Sequence, residues 1–191
     1  MIRRMLAFVV ATGAAAAALR EVATGRLTID LGIGRSSLPL GPVTWRILAP
    51  PETVFQVIAS PYLERTPRAM GSKFEVLQRG SDMALAAHFT KTPIGKATTV
   101  ETVRFERPHL VEFRLLRGPV PHVREMFELL AIVAGTELTW KGELETDLWA
   151  LGRLWGRKVA TIWERTVRTS LDPVVTEAER RALHKAEPTS G

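Results

Sequence analysis

The order of hydrophobic patterns predicts an α+β fold in which an antiparallel sheet closes on one long C-terminal helix. Two observations predict it. Residues 148–171 (LWALGRLWGRKVATIWERTVRTSL) place Leu148, Leu151, Trp155, Val159, Ile162, Trp163 and Thr166 three and four positions apart, the spacing of one helical stripe. Upstream of it, strand-like runs at 73–78, 83–91, 97–106, 110–116, 123–133 and 137–145 follow one another through Gly-, Pro- and Asp-containing turns, which makes an antiparallel meander.

Taken in order, residues 1–20 (MIRRMLAFVVATGAAAAALR) open with two Arg and continue through an uncharged run at 5–19. A helix of that length reaches roughly 22 Å, short of the roughly 30 Å hydrocarbon core of a bilayer. A cleaved signal segment, an uncleaved membrane anchor with snorkelling Arg side chains, and an Ala-rich soluble helix compete for it; Leu6, Phe8, Val9 and Val10 leave the soluble helix without a polar face, and the anchor stands slightly ahead of the cleaved signal. Residues 21–42 read as a linker or an extra edge strand, with Leu27, Ile29, Leu31 and Ile33 alternating against smaller or polar residues. The compact part begins with a strand at 43–49. Pro50 and Pro51 break it and open a helix from Glu52 that Pro61 is expected to end.

The long helix has Thr146 or Asp147 as its candidate N-cap and Pro173 as its expected stop. Its three Trp (149, 155, 163) supply bulk, and Gly152 and Gly156 supply points of close approach. The segment 172–191 reads as a polar tail helix with a disordered end from 186.

Composition narrows the function classes. With 191 residues the chain suits one well-buried domain plus extensions. The absence of Cys excludes disulfides, thiol nucleophiles and thiolate metal sites, without fixing a compartment. The net charge of +6 comes from residues 1–35 and from the long helix, while 36–147 balance. That placement suits an anionic membrane surface better than nucleic acid, although for the helix charges taken alone a solvated helix face is the preferred reading. The four His are scattered without metal-ligand spacing, and no nucleotide-binding or nucleophile-elbow motif is present, so neither a metal nor a cofactor is expected.

The sequence of strand, short helix, six strands and long helix, with APPETVF at 49–55 joining the first strand to the first helix, resembles the START-like superfamily, also called SRPBCC, and within it the polyketide cyclase/dehydrase-like proteins. The resemblance covers about 43–171 and implies a helix-grip fold: a curved antiparallel sheet of about seven strands around the C-terminal helix, with an apolar ligand cavity between them. The short turn at 79–82 departs from the Gly-rich loop of the plant-allergen branch, and residues 1–42 lie outside the resemblance.

Strand alternation nominates the chemistry. On 137–145, Leu138, Trp140, Gly142 and Leu144 face inward; on 110–116, Glu112 and Arg114 oppose the inward Val111 and Phe113; on 97–106, Glu101 shares the inner face with Val103 and Phe105. On 83–91 either face, that of His88 or that of Phe89, fits the interior. His88, Thr90, Glu101, Arg114, His122 and Glu125 are therefore the polar groups that could meet a ligand, and His88 with Glu101 is the candidate acid/base pair. A bland reading leaves His88 on the outer face, Glu101 paired with Arg104 or Arg114, and His122 in a stiff loop. Under the resemblance, Phe89, Phe105, Phe113, Trp140, Trp155 and Val159 would line the cavity, with Arg114 and His122 as polar contacts.

The expected function is binding, with transport as an extension, of a hydrophobic small molecule or lipid at or near a membrane. A cyclase- or dehydratase-like enzyme acting on a polyketide-like substrate is the alternative, and a non-catalytic interaction module is a third.

Overall fold

The computed structural model describes residues 2–92 and 95–186, with the side chains of 2–12, 69 and 186 left aside. The expected disordered end beyond 186 and the Pro93–Ile94 tip of one turn lie outside the described residues. Helix α1 (Ile2–Ala23) is followed by β1 (Ser36–Ile47), α2 (Pro51–Leu63), a 3-10 turn (Arg68–Met70), the strands β2 (Phe74–Arg79), β3 (Met83–Thr92), β4 (Gly95–Glu106), β5 (Leu110–Arg117), β6 (His122–Ile132) and β7 (Gly135–Thr146), and helix α3 (Trp149–Ala186).

The seven strands form one antiparallel sheet in the order β1-β7-β6-β5-β4-β3-β2. Strands β2 to β7 are the expected meander, and β1 returns to pair with β7 from Ser36 opposite Thr146 to Ile47 opposite Thr136. Strand β1 starts seven residues earlier than the sequence suggests. Pro39 and Pro42 read as linker signals, but β1 is an edge strand, where a missing backbone donor costs nothing on the open side. A register shift between Leu40 and Val43 marks a bulge, with Gly41 at φ 72°.

The apolar side of the sheet packs on α2 and α3. Leu138, Trp140 and Leu144 of β7, Val54 and Phe55 of α2, and Val159, Val167 and Leu171 of α3 belong to one core. Helix α3 differs from expectation in two ways. The buried stripe runs through Gly152, Trp155, Gly156, Val159, Trp163, Val167 and Leu171, so Leu151 and Ile162, expected inside, are exposed. Pro173 does not stop the helix, which stays on the core through Val174, Val175, Ala178 and Ala182. Burial of that extra face offsets the one backbone bond that a proline removes. Pro61 likewise fails to end α2, which runs two residues further to Leu63.

Neither proposed cap serves α3. Asp147 directs its carboxylate to the amides of Leu31 and Gly32 and to Arg35, and Thr146 Oγ1 is buried without a partner. Helix α1 forms, with Gly13 to Arg20 exposed one after another, but among the described residues no helix is long and apolar enough to cross a membrane.

Candidate functional site

The inner face of the sheet carries one cluster of ionisable groups. On β3 the structure settles the open question of faces. Ala84, Ala86 and His88 turn inward with Val103 and Glu101 of β4, because Ala84 lies opposite Val103 and Ala86 opposite Glu101. His88 Nδ1 is 3.1 Å from Glu101 Oε2, an ion pair in distance whose N–H is not aligned as a hydrogen bond. His88 Nε2 is 2.9 Å from the hydroxyl of Tyr62.

Tyr62 is here because α2 continues past Pro61. Its ring stacks on Phe74 with centroids 4.7 Å apart and meets Phe105 and Phe113 at 6.0 Å. Phe113 in turn lies 5.6 Å from Phe127. The polar relay Tyr62–His88–Glu101 is thus walled by aromatic rings, while the His88 side chain keeps 20% of its surface accessible, so open space adjoins it.

A second carboxylate faces the same interior. Glu125 of β6 is buried, and its Oε2 accepts the indole N–H of Trp140 at 2.7 Å and of Trp163 at 2.9 Å. It thereby joins β6, β7 and α3 at one atom.

The electrostatics follow from burial and from these neighbours. Burial disfavours charge on His88, but Glu101, by its charge and contact, outweighs it and holds the imidazole above its ordinary pKa. Burial would raise Glu101, yet His88 and a hydrogen bond from Thr99 keep it below the usual carboxylate value. Glu125 is pushed up to about 7 by burial and by the charge of Glu101, against the pull of the two indole donors. Burial, then Glu101 and Glu125, raise the Tyr62 phenol, which stays protonated. With both ring nitrogens protonated, His88 donates through Nε2 to the Tyr62 oxygen and leaves the Tyr62 O–H to be donated onward. Two indole donors on Oε2 of Glu125 leave Oε1 as the atom for its proton. The cluster can therefore present two proton donors and, after loss of the His88 proton, a base.

The remaining nominated residues divide. Phe105, Phe113, Trp140 and Val159 are buried in the core, and Trp155 is half-buried with its indole N–H donating to the Pro119 carbonyl at 2.8 Å. Phe89 does not line the interior. It faces the other side of β3, where Lys96 Nζ sits 4.0 Å over its ring. Arg114 is also on the outer face, 3.2 Å from Glu112, which additionally accepts from Arg124 at 2.6 Å. His122 is the first residue of β6 rather than a loop residue and alternates with the inward Val123 and Glu125, which puts it on Arg124's face. Thr90 is half-buried on His88's side of β3, and Glu101 pairs with His88 rather than with Arg104 or Arg114. Tyr62 escapes a reading of the sequence because Pro61 signals a helix stop. The pairing of Glu125 with two Trp is invisible without the register of β6 on β7 and the rotation of α3. Among the described residues no group of three or more His, Cys, Asp or Glu could hold a metal ion.

No protein-family model matches the sequence, and no curated protein does. Solved structures do. The Zhui aromatase/cyclase from Streptomyces sp. R1128 superposes with a TM-score of 0.61 at 18% identity, covering 82% of this chain and 99% of that one. The protein TTHA0849 from Thermus thermophilus gives 0.53 at 17% identity, over 80% and 98%. The di-domain ARO/CYC BexL from the BE-7585A biosynthetic pathway gives 0.53 at 19%, over 81% of this chain and 52% of that one. At these identities the likeness carries the fold alone: a helix-grip fold, a seven-stranded antiparallel sheet closed on a long C-terminal helix, as in these structures.

Proposed function

We propose that this START-like chain binds a hydrophobic small molecule between the sheet and α3, at or near a membrane, with Tyr62, His88 and Glu101 as the polar end of the site. The observation that carries the reading is His88, which is paired with a buried carboxylate in an aromatic interior yet keeps a fifth of its side chain accessible. A buried ion pair is costly to keep and weak as a stabiliser, so its position beside open space supports a role toward a ligand. The Tyr62 hydroxyl suits a ligand that carries a carbonyl or hydroxyl oxygen on an apolar body.

The test is native mass spectrometry and solvent extraction of the purified full chain, followed by titration with 1-anilinonaphthalene-8-sulfonate. A copurifying hydrophobic molecule, or dye uptake that His88→Leu and Tyr62→Phe both weaken at least threefold, is the expected result. An interior that takes up neither removes the reading.

A second reading, acid/base catalysis as in a cyclase or dehydratase, is favoured by the contact of His88 with both Glu101 and Tyr62. It requires proton exchange at a carbon next to a carbonyl. Deuterium uptake by 2-tetralone in heavy water, followed by NMR and abolished in His88→Ala, would support it. A rate no greater than that of buffer would exclude it for this substrate class.

A further inference from the structure

Uncovered apolar side chains are concentrated where the chain leaves α1. Residues 24–35 cross the end of the sheet as a strap, and several of its polar atoms are bonded to the domain. The Thr98 amide donates to the Thr24 carbonyl at 2.9 Å, and Thr28 Oγ1 both donates to and accepts from the backbone of Gly118, at 2.8 and 3.0 Å. Asp147 accepts the amides of Leu31 and Gly32 and pairs with Arg35, while the amides of Leu148 and Trp149 donate back to Ile33 and Gly34. With its backbone so occupied, the strap leaves Leu27, Leu31 and Ile33 exposed, and the first turns of α3 continue the patch with Trp149 at 60%, Leu151 at 73% and Leu154 at 57% exposure. Six large apolar groups on one end of a domain exceed the scattered exposure of an ordinary surface. Arg26, Arg153, Arg157 and Lys158, all exposed, lie among or beside them.

We propose that this face, strap and first two turns of α3 together, docks on the surface of an anionic lipid bilayer. The apolar groups enter the boundary between headgroups and acyl chains, and the Arg and Lys side chains meet lipid phosphates. Charge complementarity selects this occupant, since the flanking residues of α3 are basic, the nearby acids Asp30, Glu145 and Asp147 are engaged with Arg35, and Glu21 is paired with Arg26 at 3.5 Å. Continuity supports it as well, because the strap extends directly from α1, whose exposed Gly13 to Arg20 stretch follows an apolar run in the sequence. The inference rests on the membrane part of the proposed function and names its surface. The Thr98 amide that holds the strap is one residue from Thr99, which lies opposite His88, so the docking end is also the end nearest the polar relay.

The full chain is mixed with vesicles of phosphatidylcholine and phosphatidylserine at 70:30 and with phosphatidylcholine alone, and partitioning is read by co-sedimentation. Binding to the anionic vesicles, weakened by added salt, is expected, and L31E/I33E/L151E is expected to partition at least tenfold less with unchanged circular dichroism. Brominated lipid should quench the wild type through Trp149, the one exposed Trp of the five, and W149F should lose most of that quenching. Wild type that ignores both vesicles overturns the membrane reading and this face together. Wild type that binds while the triple variant binds equally, or W149F quenched to the same extent, overturns the face alone. A dimer in solution that the triple variant abolishes would make the patch a protein interface and overturn the proposal.

Discussion

Glu125 shows how much one buried atom can hold. Its Oε2 takes the indole protons of Trp140 and Trp163, and burial keeps its proton on up to about pH 7. The unfolded chain releases that proton near the ordinary value of 4.5, so between 4.5 and about 7 the folded state binds more protons. Stability must then fall as pH rises through that window and level off above it. A tenfold change in proton affinity corresponds to about 1.4 kcal/mol, which puts the effect on the order of 3 kcal/mol. Glu125→Gln removes the titration while keeping an oxygen for both indoles. Urea unfolding at pH 5 and pH 8 should find the variant about 2 kcal/mol more stable than wild type at pH 8 and near parity at pH 5; an unchanged pH slope would refute the assignment. Within the relay His88 titrates in the same sense as Glu125 and Glu101 in the opposite one. His88 contributes fully below 6.5 and loses its contribution as pH rises through its raised value, and Glu101 contributes above 4.5 and loses it as pH falls through its lowered one. His88 and Glu101 could be nominated from alternation alone, because period two fixes which residues share a face. Their contact is diagonal across β3 and β4, and only the register brings it to 3.1 Å.

Among the elements, α3 is the one whose pattern was plain and whose rotation was not. Leu151 and Ile162 fit a helical stripe as well as Gly152 and Val167 do, and the glycines decide between them. An added Cβ at Gly152 would lie 1.7 Å from the Asp147 carbonyl, and one at Gly156 would lie 2.7 Å from a Leu38 methyl. Small residues therefore mark the face that approaches the chain most closely, and hydrophobicity alone mis-sets it. Gly152→Ala gains up to about 1 kcal/mol of helix propensity but must displace backbone. A net loss of about 2 kcal/mol or more in Gly152→Ala is expected, with Gly156→Ala milder because a flexible Leu38 end can move. Thermal unfolding of the two variants checks the order. The two prolines misled for a shared reason: Pro61 and Pro173 signal a stop locally, but each sits in a helix whose continuation buries apolar surface, Tyr62 and Leu63 in one case and Ala178 in the other.

At the scale of the whole molecule, the N-terminal extension is fastened to the domain through Asp147, whose carboxyl is held below its ordinary value by Arg35 and by the amides of Leu31 and Gly32. Asp147→Ala should release the strap and leave the sheet intact. Hydrogen exchange at Leu31, Gly32, Leu148 and Trp149 is expected to accelerate while exchange in β4 to β7 stays as in wild type; uniform acceleration would mean that the strap is part of the global fold. The sequence by itself determined the meander, the long helix, the helix-grip order and the short list containing His88, Glu101 and Glu125, because period, turn residues and element order are local properties. Only the tertiary structure decided that β1 reaches back to Ser36, that β3 turns His88 rather than Phe89 inward, that His122 opens β6 on its outer face, and that Asp147 ties a strap instead of capping a helix. Each of these depends on which partner a residue meets across the sheet or across the chain, and a partner as far off as the 116 positions between Leu31 and Asp147 leaves no mark in the local pattern.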